Sequence, residues 1–227
     1  MDMYMQVKMP LACFSILLYT FLLYCLKKRL HTMTSRVYEA MVCMSIVHVL
    51  SAVITEYTVN NRDKVSYLFN HIWHIVFLVS VTFVCALLYL YLILYVERGT
   101  GKAKPRDKRV LFAVSSVSLL GELFLPITYE QTPYGAYSLG PKAYALYITV
   151  VYVMVMMLVT IIRYHKVLDW DKCYVLLCSV LIFVIIAGIQ ICMPHVLLTG
   201  LGVSLIVLGL AINAEDVHMY FSGDTGL

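Results

Sequence analysis

His71 and His74 stand three residues apart in the segment His71-Ile72-Trp73-His74, a spacing that puts both imidazoles on one face of a helix. A pair of this kind can begin a zinc site, but two ligands are too few to specify one, and no metal is assigned. The same apolar surroundings hold other groups able to hydrogen-bond or carry charge: His48, Glu56, Asn70, Glu122, Gln190 and His195. Ionisable side chains inside a membrane segment are costly, and each raises a functional question by default. His48, Ser51 and Thr55 fall at i, i+3 and i+7 on one helical face, and Asn70 lies beside His74 at i, i+4. Taken together, His48, Glu56, Asn70, His71, His74, Glu122 and Gln190 are candidate contacts for a small-molecule or peptide ligand in a polar cavity walled by helices two, three, four and six or seven. The competing expectation is that these side chains satisfy one another or the headgroup region. Glu39, beside Arg36, stands apart from the set.

Catalytic chemistry finds no constellation. There is no phosphate-cradling glycine loop, no nucleophile elbow and no carboxylate pair on the basic side, so the chain reads as a non-enzyme without a cofactor. Every lysine lies in a connection or at the edge of a span, which argues against a retinal Schiff base. The seven cysteines include no Cys-x-x-Cys pair and read as buried, inert thiols. The basic segment Glu97–Arg109 is explained by anionic lipid and topology rather than by nucleic acid.

The elements that must position these residues are apolar runs. Of 227 residues, 62% are hydrophobic and only 13% charged, about half the charge of a soluble domain. Seven stretches approach the length needed to cross about 30 Å of hydrocarbon: Met9–Leu26, Val37–Tyr57, Tyr67–Val96, Val110–Ile127, Ala143–Ile162, Cys173–Cys192 and His195–Asn213. The expected fold is an all-α polytopic membrane protein with seven transmembrane helices. The third run is the longest and is expected to tilt or to project beyond the bilayer. No positively charged region precedes the first, which reads as a retained helix rather than a signal peptide.

Lys and Arg sort by connection. Lys27, Lys28, Arg29 and Arg36 follow the first run; Arg98, Lys102, Lys104, Arg106, Lys108 and Arg109 follow the third; Arg163, Lys166 and Lys172 follow the fifth. The opposite side has only Lys8, Arg62, Lys64 and Lys142. The positive-inside rule then places the amino terminus outside, the carboxyl terminus in the cytoplasm and the candidate polar groups in the outer half of the membrane. Tyrosines near both ends of the runs form two aromatic belts. On the outer side, residues 128–144 carry Pro-Tyr-Gly and Gly-Pro turn signals and suit a short hairpin or a covering loop. Gly200, Gly202 and Gly209 in the seventh run suit close helix contact. The spans show no duplicated halves of the transporter kind.

After Asn213 the sequence turns polar. Leu210, Val217 and Tyr220 keep an a/d-like spacing that a partner helix could use, with Glu215 and Asp216 beside them. Asn213, Glu215, Asp216, Val217 and Tyr220 are therefore the candidate output segment. At Ser222-Gly-Asp-Thr-Gly-Leu227, Thr225, Gly226 and Leu227 match the T-G-L of the D-x-L-T-G-L-x-N-R motif that opens GGDEF (diguanylate cyclase) domains, with Ser222 and Asp224 departing from it. Together with Asn60-Asn-Arg-Asp-Lys64, the segment Tyr137–Tyr147 and the Asn-Ala-Glu exit from the last run, the chain resembles the seven-helix sensor region that precedes GGDEF domains in clostridial bacteria. The resemblance implies a sensory domain over 1–213, and over 214–227 a signalling linker that starts a cyclase domain making cyclic di-GMP. It also implies a homodimer, since that domain's active site is shared between protomers. The input region of a histidine kinase, a small carrier or channel, and a helical scaffold that only anchors and dimerises remain alternatives.

Overall fold

The computed structural model describes residues 3–26, 32–132, 135–168, 170–192 and 198–213. Among them seven helices and one hairpin follow in the order α1 (Met3–Leu26), α2 (Met33–Asn60), α3 (Tyr67–Thr100), α4 (Pro105–Phe124), β1 (Thr128–Thr132), β2 (Gly135–Leu139), α5 (Pro141–Tyr164), α6 (Trp170–Cys192) and α7 (Thr199–Asn213). The described residues are all-α apart from this hairpin. Lys27, Lys28, Arg29, His195 and the output residues Glu215, Asp216, Val217 and Tyr220 lie outside the described residues; Asn213 closes α7.

Local chemistry sets the helix ends. Thr32 caps α2 by accepting from the Ser35 N–H at 3.2 Å, and Ser66 caps α3 by accepting from the Phe69 N–H at 3.3 Å. Pro105 and Pro141 open α4 and α5, where a missing N–H costs nothing. Leu125 stands before Pro126 and adopts extended backbone, which stops α4 at Phe124. The expected fourth run to Ile127 is thus three residues too long, and Ile127 leads into the hairpin.

Consecutive helices pack as neighbours, α7 closes the bundle against α1 and α2, and α3 occupies the centre in contact with α2, α4 and α5. Leu88 and Leu92 of α3, Val153 and Met157 of α5, and Val203, Val207 and Leu210 of α7 are fully buried. The outside is inverted relative to a water-soluble protein. Ile148, Val151, Val155, Val159 and Ile162 expose one stripe of α5, and Leu181, Val184 and Ile185 do so on α6. Contiguous apolar surface on this scale is suited to lipid, not water. Five described helices are long and apolar enough to cross a membrane: Met9–Leu26 of α1, α2, α3, α5 and Cys173–Gln190 of α6. Against the expectation of seven, α4 and α7 fall short. After Arg106, Asp107, Lys108 and Arg109, the apolar part of α4 is about 22 Å long at 1.5 Å per residue, and the 15 described residues of α7 span the same length.

Where lipid is the solvent, helices gain little from hydrophobic burial against each other and rely on close packing and polar ties. Gly202 of α7 lies so near Ile186 of α6 that a Cβ would overlap the isoleucine Cδ1, and Gly200 packs on Val49 of α2 and Cys13 of α1. The Ser204 hydroxyl bonds to the carbonyls of Gly200 and Cys13 at 2.7 and 3.3 Å, and the Tyr38 hydroxyl donates to the Val207 carbonyl at 3.0 Å. The glycine-contact expectation for the seventh run agrees with this geometry. The thiols are less uniform than expected: Cys13, Cys85 and Cys173 are buried, whereas Cys25 and Cys43 are exposed on the bundle surface.

Candidate functional site

The two ends of the bundle differ chemically. At the basic end, the Glu97 carboxylate accepts from the Lys104 backbone N–H and from Lys108 Nζ at 2.6 Å. Lys104 Nζ in turn donates to the Tyr164 hydroxyl at 2.9 Å and lies over that ring. This clamp fixes the turn between α3 and α4 against the end of α5.

The hairpin end is stepped. Glu122, two residues before the end of α4, meets Thr82, which stands 15 residues into α3; α3 therefore overhangs α4 by about 20 Å. The hairpin fills the step. Its strands pair antiparallel from Thr128↔Leu139 to Thr132↔Gly135, and it rests on the overhanging turns of α2 and α3. The Tyr129 hydroxyl accepts from Asn70 Nδ2 at 3.0 Å, its ring takes the His74 imidazole edge-on at 5.9 Å, and the Arg62 guanidinium covers the ring at 4.9 Å. Burial pushes the Tyr129 phenol above its ordinary range, so it stays a neutral hydroxyl. At the corner into α5, Gly140 adopts φ 105°, ψ −177°, a conformation essentially reserved for glycine, and a Cβ there would stand 3.1 Å from Thr128 Oγ1.

Beneath the hairpin lies a buried polar cluster. Glu122 Oε1 accepts a close hydrogen bond from the Thr82 hydroxyl and another from Ser118 at 3.0 Å, one turn earlier on α4. Its other oxygen, Oε2, has no hydrogen-bond partner among the described residues; nor do Lys142 Nζ, both ring nitrogens of His74, Asn70 Oδ1 and His71 Nδ1. Glu122, Lys142 and His74 are 0%, 1% and 2% exposed. Lys142 opens α5 one turn before Ala145, which packs against Gly121 beside Glu122. Buried polar groups are normally paired, so several open ones in this part of the bundle mark a place where a partner fits.

A second polar set lies on the α2 side of α3, at the level of Ser80. His48 of α2 bridges two helices, with Nδ1 3.0 Å from Ser80 Oγ of α3 and Nε2 3.2 Å from Thr199 Oγ1 of α7. The Ser80 hydroxyl proton is given to the Phe77 carbonyl at 2.7 Å, so Ser80 accepts from Nδ1–H.

The structure thus divides the sequence candidates. Asn70 and His74 meet at Tyr129, with His71 one turn from His74 on the same face, whereas Glu122 meets Thr82 and Ser118, eight residues or about 12 Å further along α3 than His74; Lys142, Thr82, Ser118 and Tyr129 are residues that sequence reasoning did not select. His48 belongs to the bridge between α3 and α7, and its face-mates Ser51 and Thr55 bond to the carbonyls of His48 and Trp73. Glu56 is half-buried near the end of α2, and Gln190 is half-buried on α6, which packs on α5 and α7. Asn70, His71, His74, Glu122 and Lys142 thus stand on α3, α4 and the start of α5, while His48 and Glu56 stand on α2 and Gln190 on α6. His71 stacks on Tyr67 at 5.7 Å, and no group of three or more His, Cys, Asp or Glu side chains among the described residues could hold a metal. Compared with protein-family models, curated proteins and solved structures, the chain matches none of them.

Proposed function

We propose that the chain is a membrane-embedded sensory module whose receptor site is the cluster beneath the hairpin. The reading rests above all on one observation: Lys142 Nζ, Glu122 Oε2 and both ring nitrogens of His74 are buried without hydrogen-bond partners among the described residues, under a cover tied down by Tyr129. In this reading all seven helices cross the bilayer. The basic end, with Lys102, Lys104, Arg106 and Lys108, faces the cytoplasm by the positive-inside rule, and the hairpin faces outward. Ligand binding shifts α3, the central helix, and the His48 bridge carries that shift to α7. From there Asn213, Glu215, Asp216, Val217 and Tyr220 lead to a cytoplasmic output domain, a diguanylate cyclase by the resemblance of the sequence, acting in a homodimer. A ligand drives such a switch only as far as it binds the two helix arrangements unequally.

Membrane-impermeant maleimide on intact bacteria tests the frame. With Cys25 and Cys43 replaced by Ser, Glu130→Cys should label and Lys102→Cys should label only after lysis; the reverse pattern refutes the orientation. A cross-link between protomers through Ile212→Cys on α7 should change in yield when Lys142→Met or His48→Leu is introduced. An unchanged yield in both refutes coupling between the cluster and α7.

A further inference from the structure

We infer that the cluster recognises a small zwitterion with a free ammonium group, of the kind of a free amino acid; the assignment rests on the receptor reading above. Glu122 is oriented by Thr82 and Ser118, both bonded to Oε1, which leaves Oε2 directed to a further donor. Lys142 stands one turn before Ala145, which packs on Gly121 beside Glu122, yet its ammonium hydrogen-bonds neither to Glu122 nor to any other described group. A purely structural ion pair would close this gap, because an unpaired buried charge is heavily penalised. Two opposite charges held apart are instead complementary to a molecule that carries both. Its ammonium reaches Glu122 Oε2; its carboxylate reaches Lys142 Nζ and an N–H of His74. A simple anion would satisfy Lys142 but face the carboxylate of Glu122, and a simple cation would satisfy Glu122 but face Lys142, so either leaves one buried charge opposed. The Tyr129 ring lies edge-on to His74, so access follows release of the hairpin.

The chain in lipid nanodiscs is screened by thermal shift against the proteinogenic amino acids. Each hit is then compared with its analogue lacking the ammonium, its analogue lacking the carboxylate, and its N-trimethyl form. The expected result is at least one amino acid that raises the melting temperature, with each analogue weaker by about 30-fold or more, the cost of removing one partner of a buried charged hydrogen bond. Glu122→Gln should then narrow the gap between the amino acid and the analogue without an ammonium, and Lys142→Met the gap to the analogue without a carboxylate. The ligand comparison on the unmodified chain decides even where a variant fails to fold. Equal binding of the carboxylate-only analogue overturns the zwitterion and leaves a receptor for anions. The absence of any shift across the panel overturns it too, while the cross-linking through α7 judges the receptor reading separately.

Discussion

Tyr129 holds the hairpin in its step through three separable contacts, and its removal has a calculable effect. Losing the hydrogen bond from Asn70 costs about 1 kcal/mol, the edge-on contact with His74 about 0.5–1.5 kcal/mol, and the Arg62 cation over the ring about 0.5–1 kcal/mol. Tyr129→Ala should therefore lower the free energy of hairpin opening by about 2–3.5 kcal/mol, whereas Tyr129→Phe, which keeps the ring, should lower it by only about 1 kcal/mol. Hydrogen–deuterium exchange of the strand amides reads this directly. Exchange through local opening accelerates tenfold per 1.4 kcal/mol, so the expected factors are roughly 30- to 300-fold for Tyr129→Ala and about 5-fold for Tyr129→Phe. Tyr137 supplies the internal control: its hydroxyl donates to the cross-strand Glu130 carboxylate at 2.8 Å on the exposed face, and Tyr137→Phe should change exchange by no more than about twofold. If Tyr129→Ala leaves exchange within twofold of the parent, or if Tyr137→Phe matches it, the hairpin is held by something other than this latch.

Three further outcomes follow from the same geometry. Thr82→Val removes the closest donor to the buried Glu122 carboxylate and should destabilise the purified chain by about 1.5–3 kcal/mol in thermal unfolding, with Ser118→Ala milder. A double-mutant cycle of His48→Ala and Thr199→Val should return a coupling of about 0.6 kcal/mol, typical of hydrogen bonds between membrane helices, and a coupling of zero would remove the bridge between α2 and α7. Gly140→Ala must adopt a conformation that costs about 1–3 kcal/mol and crowds Thr128, so it should lower the melting temperature and speed exchange in the hairpin, whereas Gly202→Ala meets only the mobile end of Ile186 and should be tolerated far better.

Much of this arrangement is legible in the residues because a bilayer simplifies the rules. Apolar runs announce the helices, and Asn70, His71, His74 and Glu122 stand out against them because each is expensive there. Helical spacing gives the face of a residue and roughly its depth, but not which helix lies alongside. That is why His48 was grouped with the outer set although its neighbours are Ser80 and Thr199. Lys142 was read as a loop charge; the signal that places it inside is Gly140-Pro141 immediately before it, since a proline in a first helical turn makes the following lysine part of that turn. The early stop of α4 has a similar source in Pro126, whose effect on Leu125 is local and could have been weighed against hydropathy.

The pairing of Glu122 with Thr82 bears on how the polypeptide enters the bilayer during synthesis. α4 opens with four consecutive charged residues and carries a carboxylate in its last turn, so alone it is a poor substrate for release into lipid. α3 is strongly apolar and emerges from the ribosome first, bringing the one hydroxyl that closes onto that carboxylate from another helix. In the proposed seven-span arrangement the two should therefore leave the translocon as a hairpin already joined, with Glu97 and Lys108 tying the turn between them, and Thr82→Val should lower the yield of inserted chain as well as the stability of what is purified.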